Sequence, residues 1–567
     1  MTPNYPLIKP FSHQERKENL KSMSEKELDL LIIGGGINGV WMALDARLRG
    51  LTVGLVEFSD FGHGPSRNNS ELLHGGFRYL KEWYEHPKNW FKVKSVLHLV
   101  REALREREVL MHIAPHLARP VSFIMPLYSP RGLGWGKKVF YGFGFWMYDL
   151  LSAAQSIKPF QMLSRAEIIQ WLDGIDQKNL RGGGLYYDCK MEPGRFVAEI
   201  IKAGHSAGAL LANYTRAKEP IWDTDKKTIL GFHCTDEMDQ SNYAIRAKQI
   251  IDATGPWGDV FRHQIWPDGK RTLRLTKGIH IMVPQLFKKP TAVTFFSDDN
   301  RILFIIPWGE GYNYSLIGTT DTDYSKDPDQ VAPDIVSIEY LVEKTRRLFP
   351  HADLTCYGNY AGVRPLVFQE GGSASSVTRE HTILKHGESH LTSVFGGKWT
   401  TARVVASEVL DEVFPHLKGT CNTKNIRFGG QGTDQVIIDG KPNPDAKLKN
   451  QANNLGLSHE TLEHLVFNYG YNAQAIMKIA QEHTDNKKLI LENFPFIQAE
   501  VIFSIRNEMA LRVKDFLIRR SIFGRLRTRG LEAAPIIARI MAKELGWNAK
   551  KQQEEVNWFD ESTQIVN

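Results

Sequence analysis

The clearest hydrophobic pattern lies near the start of the chain, where two apolar runs flank a helical stretch. Residues 28–33 (LDLLII) form a continuous apolar run that ends at a glycine, which is typical of a buried parallel strand. Residues 39–49 carry apolar side chains at helical spacing and stop at Gly50, and residues 51–57 (LTVGLVE) form a second apolar run. Together they predict a βαβ unit that opens a doubly wound parallel sheet.

Further along the chain the pattern changes twice. Residues 88–113 have the apolar spacing and the charge pairs of a helix. Between about residues 185 and 350, apolar runs such as AKQIIDATG and RILFIIPW alternate with turns, which predicts a sizeable antiparallel sheet. Residues 402–414 predict another helix, and beyond about residue 445 the pattern is helical almost throughout, so we expect a separate C-terminal helical domain.

Composition narrows the class of protein. A chain of 567 residues with 42% hydrophobic and 24% charged residues has room for three or four domains with large cores, so it is neither disordered nor fibrous. The net charge of +7 is too mild for a dedicated nucleic-acid binder. Four widely spaced cysteines give no CxxC pair, so we expect no metal site and a reducing compartment: Cys189, Cys234, Cys356 and Cys421.

Two features leave open whether the protein binds to the surface of a membrane. No segment reaches the roughly 20 apolar residues of a membrane span, but residues 135–148 form an aromatic run behind two lysines that could lie on a bilayer. Near the C-terminus, basic residues cluster in a way that could meet anionic lipid: Arg512, Lys514, Arg519, Arg520, Arg525, Arg527 and Arg529. The alternative is a solvated helix face and a buried aromatic core.

A glycine motif stands between the first strand and the first helix. Gly34, Gly36 and Gly39 form GxGxxG around Asn38, and Glu57 closes the next strand. In this context the glycines allow close approach of a pyrophosphate to the helix N-terminus, and Glu57 can accept hydrogen bonds from a ribose. The alternative is a glycine-rich turn without a ligand. The acidic Glu57 favours a dinucleotide without a 2′-phosphate.

A second motif, Thr254-Gly255, follows the strand IIDA. In FAD-dependent oxidoreductases with two dinucleotide-binding motifs, an Ala-Thr-Gly at a strand end packs beside the cofactor, whereas alone it is an ordinary turn. Paired with the glycine motif, it favours a flavin over a nicotinamide cofactor.

Three polar side chains and a bare Gly-Gly backbone stand together in the segment LHGGFRY. His74 is followed by Gly75 and Gly76, whose bare backbone permits a planar ring to approach, and by Arg78 and Tyr79, which can clamp an anion. The alternative is an ordinary loop.

Three more motifs carry candidate chemistry. His280 opens an apolar run, where an imidazole can take a proton from an alcohol, although a lone histidine is usually structural. Arg364 offers a fork-shaped cation. In the segment FGGKWTT, the backbone amides with Gly397, Lys398 and Thr400 could hold an anion or the carbonyl edge of a flavin. A surface role is the alternative for the last two motifs.

In their order along the chain these motifs resemble the FAD-dependent glycerol-3-phosphate dehydrogenases of the membrane-associated, quinone-linked kind. The likeness runs from about residue 28 to 550 and includes DLLIIGGGINGV, LLHGGFRYL, DATGPW, KGIHIMVP, AGVRPL, VFGGKWTT and EVIFSIRNEMALRVKDFLIRR. It implies an α/β plus α+β fold, with a Rossmann-like FAD-binding domain, an inserted β-rich substrate domain and an all-helical C-terminal cap domain.

The domain boundaries that we predict on this basis divide the chain into five parts. They are a polar, solvated N-terminal leader at 1–27 without a secretory signal, an FAD-binding domain at 28–100, 185–260 and 355–420, a substrate-binding domain at 101–184 and 261–354, a linker at 421–444, and the helical domain at 445–567.

The resemblance implies oxidation of sn-glycerol 3-phosphate to dihydroxyacetone phosphate by hydride transfer to FAD, with electrons passed to a membrane quinone. It places the protein on the cytoplasmic face of the inner or plasma membrane, attached peripherally to anionic lipid, or in the cytoplasm, with a homodimer left open. Three alternatives remain: an oxidase that uses oxygen, a paralogue for another phosphorylated polyol or hydroxy acid, and a flavoprotein without turnover.

The resemblance also implies residue roles. His280 would be the base, and the residues around the substrate, with the arginines on its phosphate, would be Arg78, Tyr79, His280, Arg364 and Lys398. The residues that would hold the cofactor are Gly34, Gly36, Asn38, Gly39, Glu57, Ser70, His74, Gly75, Gly76, Thr254, Gly255, Gly397, Lys398 and Thr400.

The sequence departs from the family pattern at two places. Glu71 stands where a lysine or arginine is usual, and Arg67 is the nearby cation that could compensate. Pro193-Gly194-Arg195 replaces the usual Asp-Ala-Arg. Both changes bear on the identity of the substrate more than on the fold or the cofactor.

Overall fold

A computed structural model describes residues 9–76, 93–129, 157–299, 301–309, 311, 313–368 and 381–563. Three sequence predictions lie outside these residues: Arg78, Tyr79 and the aromatic run at 135–148.

The strands of the described chain follow one another in this order: β1 (Leu28–Ile33), β2 (Val53–Val56), β3 (Leu72–Leu73), β4 (Ala118–Tyr128), β5 (Gln161–Leu163), β6 (Leu180–Met191), β7 (Leu210–Ala212), β8 (Thr215–Trp222), β9 (Ile229–Asp236), β10 (Asn242–Asp252), β11 (Leu273–Pro284), β12 (Thr291–Phe296), β13 (Ile302–Trp308), β14 (Tyr314–Gly318), β15 (Thr322–Asp323), β16 (Gly358–Val367), β17 (His381–Lys385), β18 (Leu391–Gly396), β19 (Ile437–Ile438) and β20 (Lys441–Pro442).

The α-helices of the described chain are α1 (His13–Glu25), α2 (Ile37–Leu48), α3 (Val93–Ile113), α4 (Arg165–Trp171), α5 (Pro193–Ser206), α6 (Gly258–Ile265), α7 (Ile335–Leu348), α8 (Ala402–Val413), α9 (Thr433–Val436), α10 (Ala446–Leu455), α11 (His459–Tyr469), α12 (Ala473–Glu482), α13 (Gln498–Asn507), α14 (Ala534–Leu545) and α15 (Ala549–Thr563). A π-helical turn spans Asp515–Arg520.

The first sheet is the predicted doubly wound sheet. Its strands run in the order β17-β18-β10-β1-β2-β7, and β18, β10, β1, β2 and β7 are parallel. Helices α2, α5 and α8 pack together against it, because their apolar faces share one core with the sheet. The carboxyl ends of β1, β2, β10 and β18 meet at one edge, where ligands of open α/β sheets bind.

The second sheet is the predicted β-rich one. Its main path is β15-β11-β14-β13-β12-β4-β6-β3, with β16 paired to β11 and β5 paired to β6. The register of β11 and β16 sets His280 opposite Tyr360, Gly278 opposite Gly362 and Thr276 opposite Arg364.

This pairing corrects two of the predicted boundaries. The boundary at 185 falls inside β6, and β16, which we placed in the FAD-binding domain at 355–420, belongs to the second sheet. The physical reason is that β11 and β16 form a long antiparallel ladder, which runs from the pair Leu273 and Val367 to the pair Met282 and Gly358. The local pattern of neither strand reveals this pairing.

The predicted solvated leader at 1–27 is wrong for the described residues. Helix α1 begins with a capping box formed by Ser12 and Glu15, and Phe11 is buried in the core of the first sheet. The guanidinium of Arg16 is buried and donates to both carboxylate oxygens of Asp236, at 2.8 and 2.7 Å. A buried, paired arginine fixes this helix to the sheet although its composition is polar.

The predicted linker at 421–444 is also packed. Ile426, Phe428 and Val436 are buried, and the segment contains α9 and the β19–β20 hairpin. Beyond it the C-terminal helices share one apolar core with the second sheet, which includes Phe123 and Met282 from the sheet and Phe503 and Phe516 from the helices. Within the described residues no helix is long and apolar enough to cross a membrane.

Candidate active site

A cavity of about 670 Å³ opens between the carboxyl edge of the first sheet and the second sheet. The residues that directly follow β1, β2, β10 and β18 line it, and so do His280 from β11 and Arg364 from β16. Twelve of the predicted cofactor residues line this cavity: Gly34, Gly36, Asn38, Glu57, Ser70, His74, Gly76, Thr254, Gly255, Gly397, Lys398 and Thr400. Gly39 and Gly75 lie outside its lining.

The glycine motif forms a tight turn from strand to helix at one end of the cavity. A Cβ atom on Gly39 would collide with the carbonyl oxygen of Gly34, so only glycine lets α2 pack this closely on β1. Ser66, which sequence reasoning missed, accepts a hydrogen bond from the backbone N–H of Ile37 at 2.9 Å through its Oγ. The helix N-terminus faces the cavity, because Gly36, Ile37 and Asn38 line it, and such a terminus suits a pyrophosphate.

Glu57 is buried beside this turn. Its Oε2 accepts the backbone N–H of Gly35 at 2.6 Å and its Oε1 accepts that of Ser59 at 2.9 Å. Burial raises the pKa of Glu57 to about 7. Each carboxylate oxygen has a second lone pair, so Glu57 can hold the loop and still bind a ribose hydroxyl.

Asp252, at the end of β10, holds the Thr254 turn in place. Its Oδ1 accepts from the hydroxyl of Thr254 at 2.6 Å, and its Oδ2 accepts from the hydroxyl of Ser393 on β18 at 2.7 Å. Asp252 thus ties together the two strands whose ends carry the Thr254-Gly255 and Gly397-Lys398 turns. Sequence reasoning did not single out Asp252, although its place at a strand end before the Thr-Gly pair is a signal for such a role.

His280 lies in the wall formed by the second sheet. Its Nε2 is 2.9 Å from Ser70 Oγ, and its ring stacks on Tyr360 with a centroid distance of 5.0 Å and an angle of 14°. Burial, and then the positive charges of Arg364 and Arg525, hold the pKa of His280 well below its usual value. The imidazole is therefore neutral at neutral pH and has a lone pair for a proton.

Arg364 extends from β16 into the same cavity. Its guanidinium donates to Thr319 Oγ1 at 2.9 Å and to Asp321 Oδ1 at 3.2 Å. A Cβ atom on Gly278 would lie only 2.6 Å from Arg364 Cζ, so the glycine of the KGIH motif provides the space that the guanidinium fills.

The Gly397-Lys398 turn contributes a second cation. Lys398 lines the cavity directly after β18, and Trp399 Nε1 donates to the carbonyl oxygen of Ser66 at 3.1 Å. This bond ties the turn to the loop beside the glycine motif. The second sheet thus contributes His280 and Arg364 to the cavity, and the first sheet contributes Lys398 and the dinucleotide turn.

Glu71 does not place an uncompensated acid near the cavity. Its buried carboxylate accepts from Arg67 at 3.0 Å and from Arg525 at 2.8 Å on Oε1, and from Trp308 Nε1 at 2.8 Å on Oε2. Burial alone would raise the pKa of Glu71, but Arg525 and Arg67 outweigh it and hold the pKa below its usual value. Arg67 therefore compensates as predicted, together with Arg525 from the C-terminal domain.

The second departure from the family pattern is also a packing feature. A Cβ atom on Gly194 would collide with the carbonyl oxygen of Arg519, so glycine lets the π-helical turn approach α5. Arg195 is buried and donates to Glu508 at 2.7 Å. Neither residue is among those that line the cavity.

The predicted basic surface cluster near the C-terminus is wrong for its central members. Arg519, Arg520 and Arg525 are buried, and both Arg519 and Arg520 form ion pairs with Asp60, the former at 2.5 Å. Arg519 also pairs with Asp515 at 2.5 Å, and Arg525 pairs with Glu71 at 2.8 Å, so acidic groups inside the protein face all three arginines.

Sequence reasoning missed Asn68, Asn69 and Tyr360 as residues around the site. A signal existed for Tyr360, because alternate residues of a strand share a face and Tyr360 precedes Arg364 by four positions in β16. Among the residues that the structure describes, no group of three or more His, Cys, Asp or Glu side chains is arranged to hold a metal ion.

Comparisons with known proteins agree with this geometry. Residues 29–403 match the family of FAD dependent oxidoreductases, and residues 421–552 match the C-terminal domain of alpha-glycerophosphate oxidase. The chain is 32% identical to the aerobic glycerol-3-phosphate dehydrogenase of Staphylococcus aureus over 530 residues, which is 91% of this chain and 89% of that one.

Two solved structures are also similar. The glycerol-3-phosphate dehydrogenase of Bacillus halodurans, complexed with FAD, matches with a TM-score of 0.74 and 26% identity over 97% of both chains. The L-alpha-glycerophosphate oxidase of Mycoplasma pneumoniae, with FAD bound, has a TM-score of 0.53 and 14% identity over 71% of this chain and 98% of that one, a likeness of fold alone.

Proposed function

The chain belongs to the family of FAD-dependent glycerol-3-phosphate dehydrogenases, and from that premise we propose that it oxidises sn-glycerol 3-phosphate to dihydroxyacetone phosphate with FAD as its cofactor. One observation carries the proposal: His280, Arg364 and Lys398 line the same cavity as the glycine motif. An alcohol that carries a phosphate dianion needs such a base and such cations beside a flavin.

The cavity fits the cofactor. The close packing at Gly39, the helix N-terminus at Ile37 and the acceptor Glu57 are suited to a pyrophosphate and a ribose. The turns at Thr254-Gly255 and Gly397-Lys398 lie along the same cavity. FAD, when bound, supplies the hydride acceptor for the oxidation.

The phosphate of the substrate is assigned to Arg364 and Lys398. The Arg364 guanidinium offers the planar, paired donors that match phosphate oxygens, and Thr319 and Asp321 fix its orientation. Lys398 adds a point charge from a separate turn. Two cations from two elements would hold the phosphate at two points and so would limit the orientations of the substrate.

His280 is assigned the proton of the C2 hydroxyl. It receives this proton at Nε2, the nitrogen that Ser70 Oγ contacts at 2.9 Å. The neighbouring positive charges keep the imidazole neutral before the reaction, so it is ready to act as a base. Stacking on Tyr360 holds the ring in one orientation.

Anaerobic titration with glycerol 3-phosphate, followed through the flavin absorbance, tests the activity. Prompt bleaching is expected. If the flavin is not reduced by glycerol 3-phosphate but is reduced by another phosphorylated polyol or by a hydroxy acid, that compound is the substrate. The assignment of the cofactor would then still hold.

The electron acceptor is proposed to be a membrane quinone, reached from the cytoplasmic face of the membrane. The resemblance of the motifs to the quinone-linked kind of this family supports a quinone, and the relative from Staphylococcus aureus is named an aerobic enzyme. Reoxidation by a soluble quinone analogue, compared with peroxide release in air, tests this choice. Rapid peroxide release without quinone would instead assign an oxidase.

Peripheral attachment to anionic lipid is a separate proposal. The buried arginines 519, 520 and 525 give it no support, so it rests on residues 135–148, which lie outside the described residues. Co-sedimentation with vesicles of anionic and of neutral lipid tests it, and equal binding to both would contradict it.

A further inference from the structure

Arg525, a buried side chain of the C-terminal domain, contacts residues beside the active site. Arg525 is buried and donates from Nη1 to Glu71 Oε1 at 2.8 Å. Its Nη2 donates to the carbonyl oxygen of Arg67 at 2.9 Å and to Asn68 Oδ1 at 3.1 Å. These bonds fix the guanidinium plane in the loop that leads to Ser70.

The same guanidinium lies over the ring of Tyr360. Arg525 Cζ is 3.6 Å from the centroid of that ring, and the imidazole of His280 is stacked on it at 5.0 Å. Two planar groups at these distances cannot share one face of a ring without overlapping, so they lie on opposite faces. The hydroxyl of Tyr360 donates to the carbonyl oxygen of Asn69 at 2.7 Å, and this bond holds the hydroxyl end of the ring in place.

We propose that Arg525 is a positioning residue of the active site: it holds Tyr360, and through Tyr360 it sets the orientation of the His280 ring. This rests on the proposed function only in that His280 is taken as the base. A helical domain outside the two sheets thereby takes part in the geometry of the reaction.

The contacts explain why an arginine is needed. A guanidinium is planar, so it can stack on a phenol ring while its edges donate to Glu71, Arg67 and Asn68. A lysine would keep the charge but would lose both the stack and the paired donors. Glu71 in turn orients Arg525, which gives the unusual acid at this position a role in the site.

The charged and titratable groups that face His280 come from three elements. Arg364 and Tyr360 come from β16, Arg525 from the C-terminal domain, and Ser70, next to Glu71, from the loop before β3. Substitution of Arg525 therefore changes both the packing and the charge around the imidazole. The charge-retaining substitution Arg525→Lys separates the two effects.

The first test measures the His280 ring directly in the FAD-loaded protein. Histidine labelled with ¹³C at Cε1 gives one resonance per ring, and His280→Gln identifies the one that belongs to His280. At about pH 8, where the ring is neutral, stacking on Tyr360 shifts the Hε1 signal through the ring current. We expect this signal to move in Arg525→Lys and Arg525→Gln.

The matched control is Arg506→Gln. Arg506 is another arginine of the C-terminal domain that is paired with two glutamates, Glu482 and Glu544, and it does not line the cavity. The His280 signal should stay in place in this variant. An unmoved His280 signal in both Arg525 variants would overturn the proposal.

The second test uses Tyr360, in case the Arg525 variants do not fold. Tyr360→Leu removes the ring between Arg525 and His280, whereas Tyr360→Phe keeps it. Because a misplaced catalytic group costs about tenfold to a hundredfold in rate, flavin reduction should slow by that factor in Tyr360→Leu relative to Tyr360→Phe. Equal rates in the two variants would overturn the proposal.

The two tests keep this inference separate from the proposed function. If glycerol 3-phosphate fails to reduce the wild-type flavin, the proposed function fails, and the resonance of His280 still decides whether Arg525 positions it. If reduction proceeds and the resonance does not respond to Arg525, only the positioning role fails.

Discussion

The guanidinium of Arg364 occupies the space that a side chain on Gly278 would need. The two residues lie on paired strands, β16 and β11, and a Cβ atom on Gly278 would be 2.6 Å from Arg364 Cζ and 2.6 Å from Thr319 Oγ1. One small residue on β11 therefore decides whether a cation on β16 can point into the cavity.

Replacing Gly278 with alanine should displace the Arg364 guanidinium. We expect the apparent KM for glycerol 3-phosphate to rise about tenfold, which corresponds to about 1.4 kcal/mol, with FAD content unchanged. Steady-state kinetics and the flavin absorbance measure both quantities. Gly204→Ala in helix α5 is the control, because the nearest atom to its new Cβ, Leu211 Cδ1, lies 3.7 Å away. An unchanged KM in Gly278→Ala would contradict the prediction.

Replacing Arg364 with lysine should weaken substrate binding while the flavin is retained. Loss of the planar fork removes a paired, charge-assisted interaction of about 1–3 kcal/mol, or roughly 10- to 100-fold in affinity. Anaerobic titration of flavin bleaching measures it. Arg274→Lys is the control, since Arg274 forms a two-bond pair with Asp323 and does not line the cavity. Equal affinity in both variants would show that Arg364 does not bind phosphate.

The rate of flavin reduction should show no ionisation of His280 near pH 6.5. The folded-state pKa of His280 lies well below that value, because of burial and then of Arg364 and Arg525, so the base stays neutral from pH 8 to below 6.5. Stopped-flow measurement of the rate of flavin reduction between pH 8 and pH 6 tests this expectation. His280→Gln should lower the rate by roughly 10²- to 10⁴-fold with the flavin still bound. A loss of rate centred near pH 6.5 that depends on His280 would contradict the assignment.

The same depressed pKa affects stability on the acid side. Below about pH 6.5 the unfolded chain binds a proton at this histidine that the folded chain does not, so the free energy of unfolding falls as the pH falls. The part of this loss that belongs to His280 should disappear in His280→Gln.

Replacing Asp60 with asparagine should loosen the C-terminal domain from the first sheet. Arg519 and Arg520 would lose the buried partner that they share, which costs about 3–5 kcal/mol when a buried pair is broken, although Arg519 keeps its pair with Asp515. The temperature at which flavin is released, followed by its fluorescence, measures this loss of stability. The exposed Asp268→Asn is the control. An unchanged release temperature in Asp60→Asn would contradict the prediction.

The Asp60 network also has a defined pH dependence. Burial alone would raise the pKa of Asp60, but Arg520 and Arg519 outweigh it and lower the pKa. Its contribution to stability is therefore complete above the usual pKa of an aspartate, about 3.9, and is lost only as the pH falls through the lower folded-state value. Asp60→Asn should remove this acid-side dependence.

Replacing Glu71 with lysine, the kind of residue usual in the family, should destabilise this protein. The new ammonium would lie buried beside Arg67 and Arg525, whose charges Glu71 now neutralises. We expect a lower melting temperature and less bound FAD than in Glu71→Gln, which only removes the charge. The exposed Glu532→Lys is the control for the change in net charge. Equal melting temperatures for Glu71→Lys and Glu71→Gln would contradict this view.

The local pattern of the sequence predicted the βαβ unit, the β-rich region and the C-terminal helices because each depends on short-range periodicity. Most of the residues that it predicted for the cofactor do line the cavity, and several of them follow directly after strands of the first sheet, whose carboxyl ends meet at one edge. It missed the fold of residues 9–27 although Ser12 and Glu15 form a capping box. The sequence does not show that this polar helix is buried, because that depends on the pairing of Arg16 with Asp236, 220 positions away.

By itself, then, the sequence determined the family, the cofactor and the identity of the candidate base and cations, because each of these is carried by a short motif that can be recognised locally and the motifs follow one another in a characteristic order. Only the tertiary structure decided the neighbours of those residues. Glu71 is paired rather than repulsive, and the basic cluster is internal, because Arg519, Arg520 and Arg525 meet Asp60 and Glu71 across more than 450 positions of chain. Such contacts depend on how domains pack, and no local pattern records them.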